Sequence, residues 1–144
     1  MPLKNIVNIR VHDCYWKYDY CCAATSLKIL SEIFEMEVSQ QIFSAVSGLS
    51  AGRNRLQCGL VQGMLMFLGI YFKEKDLEQD KIADICHEYV NAFQNEFSSI
   101  ECKELRPRGF SPNDPPHLCE QITKDAIYFA VKFVYKVADE HNLK

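Results

Sequence analysis

The chain has 144 residues, a net charge of −3 and 48% hydrophobic residues, which is typical of a single domain with its own core. Acidic and basic residues are interspersed without a basic stretch, so we expect no binding to nucleic acid. The first residues lack the apolar core of a secretory signal, and no run reaches the about 20 apolar residues of a membrane span. We therefore expect a cytoplasmic protein without a membrane segment.

The beginning of the chain is mixed in polarity. Residues 1–13 are predicted to form an N-terminal arm with one extended segment, IVNIRV. An aromatic cluster follows, and it could cover the core, line a site or contact a second subunit. Its members are Tyr15, Trp16, Tyr18 and Tyr20.

Two helices are predicted next. Apolar residues recur at helical spacing from about Tyr18 to Phe34 and place Cys22 at the edge of the apolar stripe, whereas Cys21 points roughly 100° away. Ser39 is a plausible N-cap for a short helix that stops at Gly48.

The most apolar stretch is LQCGLVQGMLMFLGIYF, residues 56–72, and it predicts a buried helix around which the fold is built. Gly59 and Gly63 are four residues apart and share one face, so a neighbouring backbone can come unusually close. Cys58 lies at the first turn, where free N–H groups and the helix dipole favour a thiolate. Arg53 and Arg55 precede it in a basic loop.

The rest of the chain is also predicted to be helical. Residues 82–97 have an apolar stripe that includes Cys86 as a small core residue, and a last helix follows Pro116 with Cys119 on its apolar side. A proline-containing loop between them brings Cys102 back towards Cys119. The predicted fold is all-α, a single domain over residues 1–144 with about five helices in a bundle.

Seven cysteines are an odd number in a chain that we expect to stay in a reducing compartment, so structural disulfides explain them poorly. Four of them are predicted to meet at one end of the bundle: Cys22, Cys58, Cys102 and Cys119. Such a set suits an iron–sulfur cluster or a tetrahedral metal, although no CxxC pair is present. Alternatively, each cysteine packs as a small hydrophobic residue, or His117 replaces one sulfur as ligand.

The same residues resemble a known family. Cys22-Ala23-Ala24, then CGLVQG with MLMFLG from Cys58, then CKEL from Cys102, and finally Cys119 resemble the C_GCAxxG_C_C family, whose members are described as redox-active. The resemblance implies a small helical protein in which these four cysteines are the family cysteines. The family is also similar to the amino-terminal part of split-Soret cytochromes, dimeric electron-transfer proteins in which these cysteines are associated with an iron–sulfur cluster.

Some positions depart from the family pattern. The literal string GCAxxG is absent, because Gln57 precedes Cys58 and Gly59 follows it. Gln62 stands where we expect glutamate in relatives, and an amide there lacks the charge of a carboxylate. Three cysteines are additional to the pattern: Cys14, Cys21 and Cys86.

Three functional hypotheses follow. The first is an iron–sulfur protein, with the cluster type open, that passes electrons to a protein partner as a homodimer and uses the four family cysteines as ligands. The second is a metal-free thiol–disulfide oxidoreductase, which requires two cysteines with Cα atoms within about 7 Å. The third is a zinc-stabilised binding module. It is the least favoured of the three, because most zinc ribbons contain CxxC pairs and this sequence has none.

Overall fold

The computed structural model describes residues 1–49, 57–106 and 115–143, and regular structure within these ranges is helical apart from one isolated bridge pair. Seven α-helices and one 3-10 helix lie in these ranges: α1 (Leu3–Trp16), α2 (Cys22–Ile33), α3 (Gln40–Val46), α4 (Gly59–Glu74), α5 (Gln79–Phe97), α6 (Cys102–Leu105), the 3-10 helix Pro116–Cys119, and α7 (Glu120–Glu140). The prediction of an all-α fold is confirmed, and α1 and α6 add to the five helices expected.

Helix α4 lies at the centre of the bundle, as predicted. Nine of its 16 residues are buried. It packs mainly against α2 and α5 and also contacts α7. The helix begins at Gly59, and residue 56, where the prediction started it, lies outside the described residues. No helix in the described ranges is long and apolar enough to cross a membrane.

Helices α2 and α4 are brought together by two glycines, which confirms the expected close approach. A Cβ atom added at Gly59 would lie 2.8 Å from the backbone nitrogen of Ala23 and 2.9 Å from the Cβ of Cys22. One added at Gly63 would lie 2.5 Å from the carbonyl oxygen of Ala23. These distances leave no room for a side chain, so the backbone of α4 lies directly on the first turns of α2.

The prediction of an extended arm over residues 1–13 is wrong, because this segment forms most of α1. The β-branched residues of IVNIRV favour a strand when they are considered alone. However, Val7, Val11, Cys14 and Tyr15 recur at helical spacing and are all buried. Helix α1 packs along α7, and this tertiary contact outweighs the local preference.

Polar contacts with Glu120 fasten the end of α1 to the start of α7. The Trp16 indole N–H donates to a Glu120 carboxylate oxygen at 2.7 Å, His12 Nδ1 lies 3.2 Å from the other oxygen, and Lys124 forms an ion pair at 2.9 Å. Partial burial alone would raise the pKa of Glu120, but the hydrogen bonds from Lys124, Trp16 and His12 lower it to about 2. Arg10 also forms a two-bond contact with Glu32, at 2.9 Å each, that joins α1 to α2.

We predict that Gly63→Ala destabilises the protein by about 2 kcal/mol or more, because the added methyl group overlaps the Ala23 carbonyl and must push α2 away. Gly69→Ala is the matched control on the same helix, since a Cβ there would meet nothing within 4 Å. It should stabilise the protein by about 0.5–1 kcal/mol through helix propensity. Urea unfolding of both variants measures the difference, and equal effects would contradict the close packing of α2 on α4.

We also predict that Glu120→Gln lowers the free energy of unfolding by about 1 kcal/mol at pH 7. Because the pKa of this carboxyl is lowered to about 2 in the folded protein, its contribution is present above the ordinary value of 4.5 and is lost as the pH falls towards 2. The difference between variant and wild type should therefore shrink in urea unfolding at pH 3. Glu96→Gln, at an exposed position of α5, should change little at either pH.

Candidate functional site

The four predicted site cysteines all lie at the start of a helix. Cys22 is the first residue of α2, and Cys58 immediately precedes α4. Cys119 is the last residue of the 3-10 helix and immediately precedes α7. The sequence placed Cys102 in a loop, whereas it is the first residue of the short helix α6. Cys22, Cys58 and Cys119 therefore lie at the N-terminal, positive ends of the helix dipoles of α2, α4 and α7.

Backbone pairing holds Cys58 next to the segment of Cys102. The Cys58 N–H donates to the carbonyl oxygen of Ile100 at 2.8 Å, and Gln57 pairs with Glu101 in an isolated antiparallel bridge. The chain reaches this pairing by a sharp turn after α5, where Ser98 has a φ of 75°. The turn and the bridge together bring α6 to the N-terminal end of α4.

Within the set, Cys22 and Cys119 are joined by a side-chain hydrogen bond. Cys22 is also within electrostatic range of Cys58, and Cys58 is within range of both Cys102 and Cys119. Three of the cysteines are almost fully buried, at 5–6% exposure, and Cys22 is partly buried. These interactions link the four side chains at one end of the bundle, and we call this group of four cysteines the sulfur pocket.

Two further polar side chains contact the sulfur pocket. The Tyr15 hydroxyl donates to the sulfur of Cys22 at 3.2 Å and lies 2.6 Å from the Thr123 hydroxyl. Arg106 is hydrogen-bonded to Cys102. Burial alone would lower the pKa of Arg106, but this bond and the charges of nearby cysteine sulfurs raise it. The pocket therefore has a hydroxyl donor on one side and a cation on another.

The expectation that the helix start favours a thiolate at Cys58 is wrong for the metal-free protein. Burial raises the pKa of Cys58 to about 12, although the backbone N–H groups of Leu60 and Val61 lower it. The pKa of Cys22 is also raised well above its ordinary value, first by the hydrogen bond with Cys119 and then by burial. Desolvation therefore outweighs the helix dipole, and both groups are neutral thiols at pH 7.

The three additional cysteines lie elsewhere. The Cys21 thiol donates to the carbonyl oxygen of Val46 at 3.7 Å, which agrees with its expected direction away from Cys22. Cys14 is fully buried in α1, where burial raises its pKa to about 11. Cys86 is half-buried against the core, as expected. All seven cysteines are free thiols.

The aromatic cluster lies beside the sulfur pocket. The rings of Trp16 and His117 are 4.2 Å apart, so His117 packs on Trp16 two residues before Cys119. Trp16 is 57% exposed and therefore forms the outer layer over this end of the bundle. The loop arginines, Arg53 and Arg55, lie outside the described residues.

In the described part of the chain, no group of three or more His, Cys, Asp or Glu side chains is placed so that it could hold a metal ion. By residue type alone, four cysteines are the ligands that metal–sulfur sites use. In this structure, Cys22 and Cys119 are instead hydrogen-bonded to each other.

The sequence does not indicate the two polar side chains that contact the sulfur pocket. Tyr15 stands in an aromatic cluster, and Arg106 follows CKEL without a pattern that marks it. Tyr15 contacts Thr123 across 108 positions of sequence, so its role depends on how α1 packs against α7. Gln62, one turn after Cys58, has a buried side-chain oxygen without a hydrogen-bond partner among the described residues.

A comparison with known families finds a match over most of the chain. The model of the family described as "Putative redox-active protein (C_GCAxxG_C_C)" matches residues 20–133, which include all four cysteines of the sulfur pocket. No curated protein and no solved structure matches the chain.

We predict that iodoacetamide modifies Cys86 at least about 10-fold faster than Cys58 in the reduced, metal-free protein at pH 7.5. Cys58 is 5% exposed and its pKa is about 12, so its thiolate is scarce and shielded, whereas Cys86 is half-buried. Peptide mass spectrometry of timed samples measures both rates, and unfolding in guanidinium should make them similar. Faster labelling of Cys58 in the folded protein would contradict its burial as a neutral thiol.

Proposed function

We propose that this chain, which belongs to the C_GCAxxG_C_C family, carries out redox chemistry at Cys22, Cys58, Cys102 and Cys119. The observation that supports the proposal is that four cysteines from separate elements interact electrostatically with one another, pair by pair, at one end of the bundle. Cysteines that only pack as small hydrophobic residues would not need to lie near one another.

The centre that suits this pocket best is an iron–sulfur cluster held by the four cysteines. Such a cluster gives and accepts single electrons at a potential set by burial and by hydrogen bonds to sulfur. The protein supplies both conditions through the apolar core around the pocket and the hydroxyl of Tyr15. Arg106 supplies a positive charge that offsets the negative charge of cysteine ligands.

Binding of a metal centre requires the cysteines to lose their protons, because only the thiolate is a ligand. Cys58 and Cys22 are neutral thiols in the metal-free pocket, so loading should release protons. The N-terminal N–H groups of α4 already lower the pKa of Cys58 and would stabilise its charge once a cation is present.

A second candidate function rests on the contact between Cys22 and Cys119. Their thiols are hydrogen-bonded, so this pair could cycle between dithiol and disulfide without a metal. Oxidation would form one S–S bond and pass two electrons and two protons to an acceptor such as another disulfide. A zinc site is a further alternative for the same four sulfurs.

We further propose that the protein acts in the cytoplasm as a homodimer and exchanges electrons with a protein partner. The free state of all seven cysteines supports a reducing compartment. Exposed rings of Trp16 and Tyr18, at 57% and 50%, support a protein contact near the sulfur pocket, since aromatic residues are enriched at interfaces.

We predict that anaerobic incubation with ferrous iron and sulfide gives a brown protein with visible absorbance, and that Cys58→Ser loses at least about 90% of the bound iron because it removes a ligand. Cys86→Ser is the matched control, since this cysteine lies on α5 outside the pocket, and it should retain its iron.

Iron and sulfide analysis with absorbance spectra distinguishes the alternatives. A colourless wild-type protein that reversibly loses two thiols on mild oxidation would support the Cys22–Cys119 dithiol instead. A wild-type protein that neither binds metal nor changes its thiol count would contradict the redox function altogether.

A further inference from the structure

A cavity of about 490 Å³ lies at the opposite end of α2 from Cys22. Its walls are the last turns of α2, the turn that follows and the start of α3. The volume falls within the range of about 300–1,000 Å³ that is typical of pockets for small molecules. None of the four cysteines of the sulfur pocket lines the cavity, so an inference about it goes beyond the proposed redox function.

Lys28 is the cation of this cavity, and no carboxylate among the described residues forms an ion pair with it. Glu32 lies four residues further along α2, at a spacing where lysine and glutamate pair on a helix. However, both oxygens of Glu32 are bound by Arg10 at 2.9 Å. The half-buried Lys28 side chain instead places its Nζ 5.3 Å from the centre of the Phe43 ring. The cavity therefore has a positive charge that can bind an anionic group.

Glu37 brings the opposite charge to the same cavity. It is exposed and forms no ion pair within the described ranges, with Lys28 or with any other cation. Ser31 also lines the cavity and donates its hydroxyl hydrogen to the carbonyl oxygen of Lys28 at 2.8 Å, so its oxygen can still accept a hydrogen bond. One positive and one negative group thus line one cavity without pairing with each other.

The remaining walls include apolar side chains. Met36, Val38 and Phe43 are half-buried and pack against the core with part of their surface. The turn that carries Met36 is closed by a hydrogen bond from its N–H to the carbonyl oxygen of Ser31 at 2.8 Å. An apolar group of a ligand would be removed from water against these three side chains.

We propose that this cavity binds a small zwitterion, namely an α-amino acid with an apolar side chain. Lys28 binds its carboxylate, Glu37 binds its ammonium group, and the three apolar side chains contact its side chain. The charges decide the class of ligand. A dianion such as phosphate would be repelled by the carboxylates of Glu32 and Glu37, and a simple cation would be repelled by Lys28, whereas a zwitterion pairs with both unpaired groups.

Titration of the full chain with L-leucine, L-methionine and L-phenylalanine, followed by amide chemical shifts, tests the proposal. At least one of the three should bind with a Kd below about 1 mM and shift the amide signals of Met36 and Phe43. The same amino acid without its ammonium group, or without its carboxylate, should bind at least about 10-fold more weakly, because one contact between charged groups is lost.

Variants of the two charged residues locate the binding. Lys28→Met and Glu37→Gln should each weaken it by about 10-fold, whereas Lys28→Arg keeps the charge and should retain binding. Lys132→Met is the matched control, because Lys132 Nζ also lies 5.3 Å from the centre of a ring, that of Tyr128, but outside the cavity. It should change the Kd less than about 2-fold. The melting temperature of each variant shows that it is folded.

Three results would overturn the proposal. The first is the absence of shifts with all three amino acids at about 10 mM. The second is binding that Lys28→Met leaves unchanged, which would place the ligand elsewhere. The third is equally tight binding of the form without an ammonium group, which would remove Glu37 from the site. None of these results bears on the redox function, which iron, sulfide and thiol analysis tests separately.

Discussion

The contact between the backbones of α2 and α4 is the constraint on which the sulfur pocket depends. Gly59 lies against Cys22 itself, at a distance that excludes any side chain. Because Cys58 directly precedes this glycine, the same contact that joins the helices brings the first two cysteines together. A larger residue at this position would separate the helices and the two sulfurs at once.

The remaining two cysteines reach the pocket by different means. Cys102 is placed by backbone pairing with the segment before α4, which requires no side-chain packing of its own. Cys119 is placed by α7, whose first turn is fastened to α1 through Glu120 and Trp16. Three contacts therefore position the pocket: the close packing of α2 on α4, the backbone bridge between Gln57 and Glu101, and the hydrogen bond from Trp16 to Glu120. Each of these contacts joins segments that are distant in sequence, and the core helices hold those segments in place.

The features that could be predicted from the sequence are those set by local pattern. The spacing of Gly59 and Gly63 and the apolar run around them identified the central helix and its close contact. The N-terminal helix was missed because its β-branched residues favour a strand until their packing on α7 is known. The charge state of Cys58 was missed for a related reason. The helix start is visible in sequence, whereas the burial that outweighs it is a property of the whole fold.

Burial also decides what kind of charge the sulfur pocket can hold. The rise in the pKa of Cys58 from 9.0 to about 12 corresponds to about 4 kcal/mol against the thiolate, relative to an exposed cysteine. Attack by a single free thiolate is therefore poorly suited to this site at neutral pH. A cation shared by several sulfurs, or a bond from one sulfur to another, removes the charge that burial disfavours. Burial thus disfavours a lone thiolate at Cys58 and favours an arrangement in which its negative charge is shared or removed.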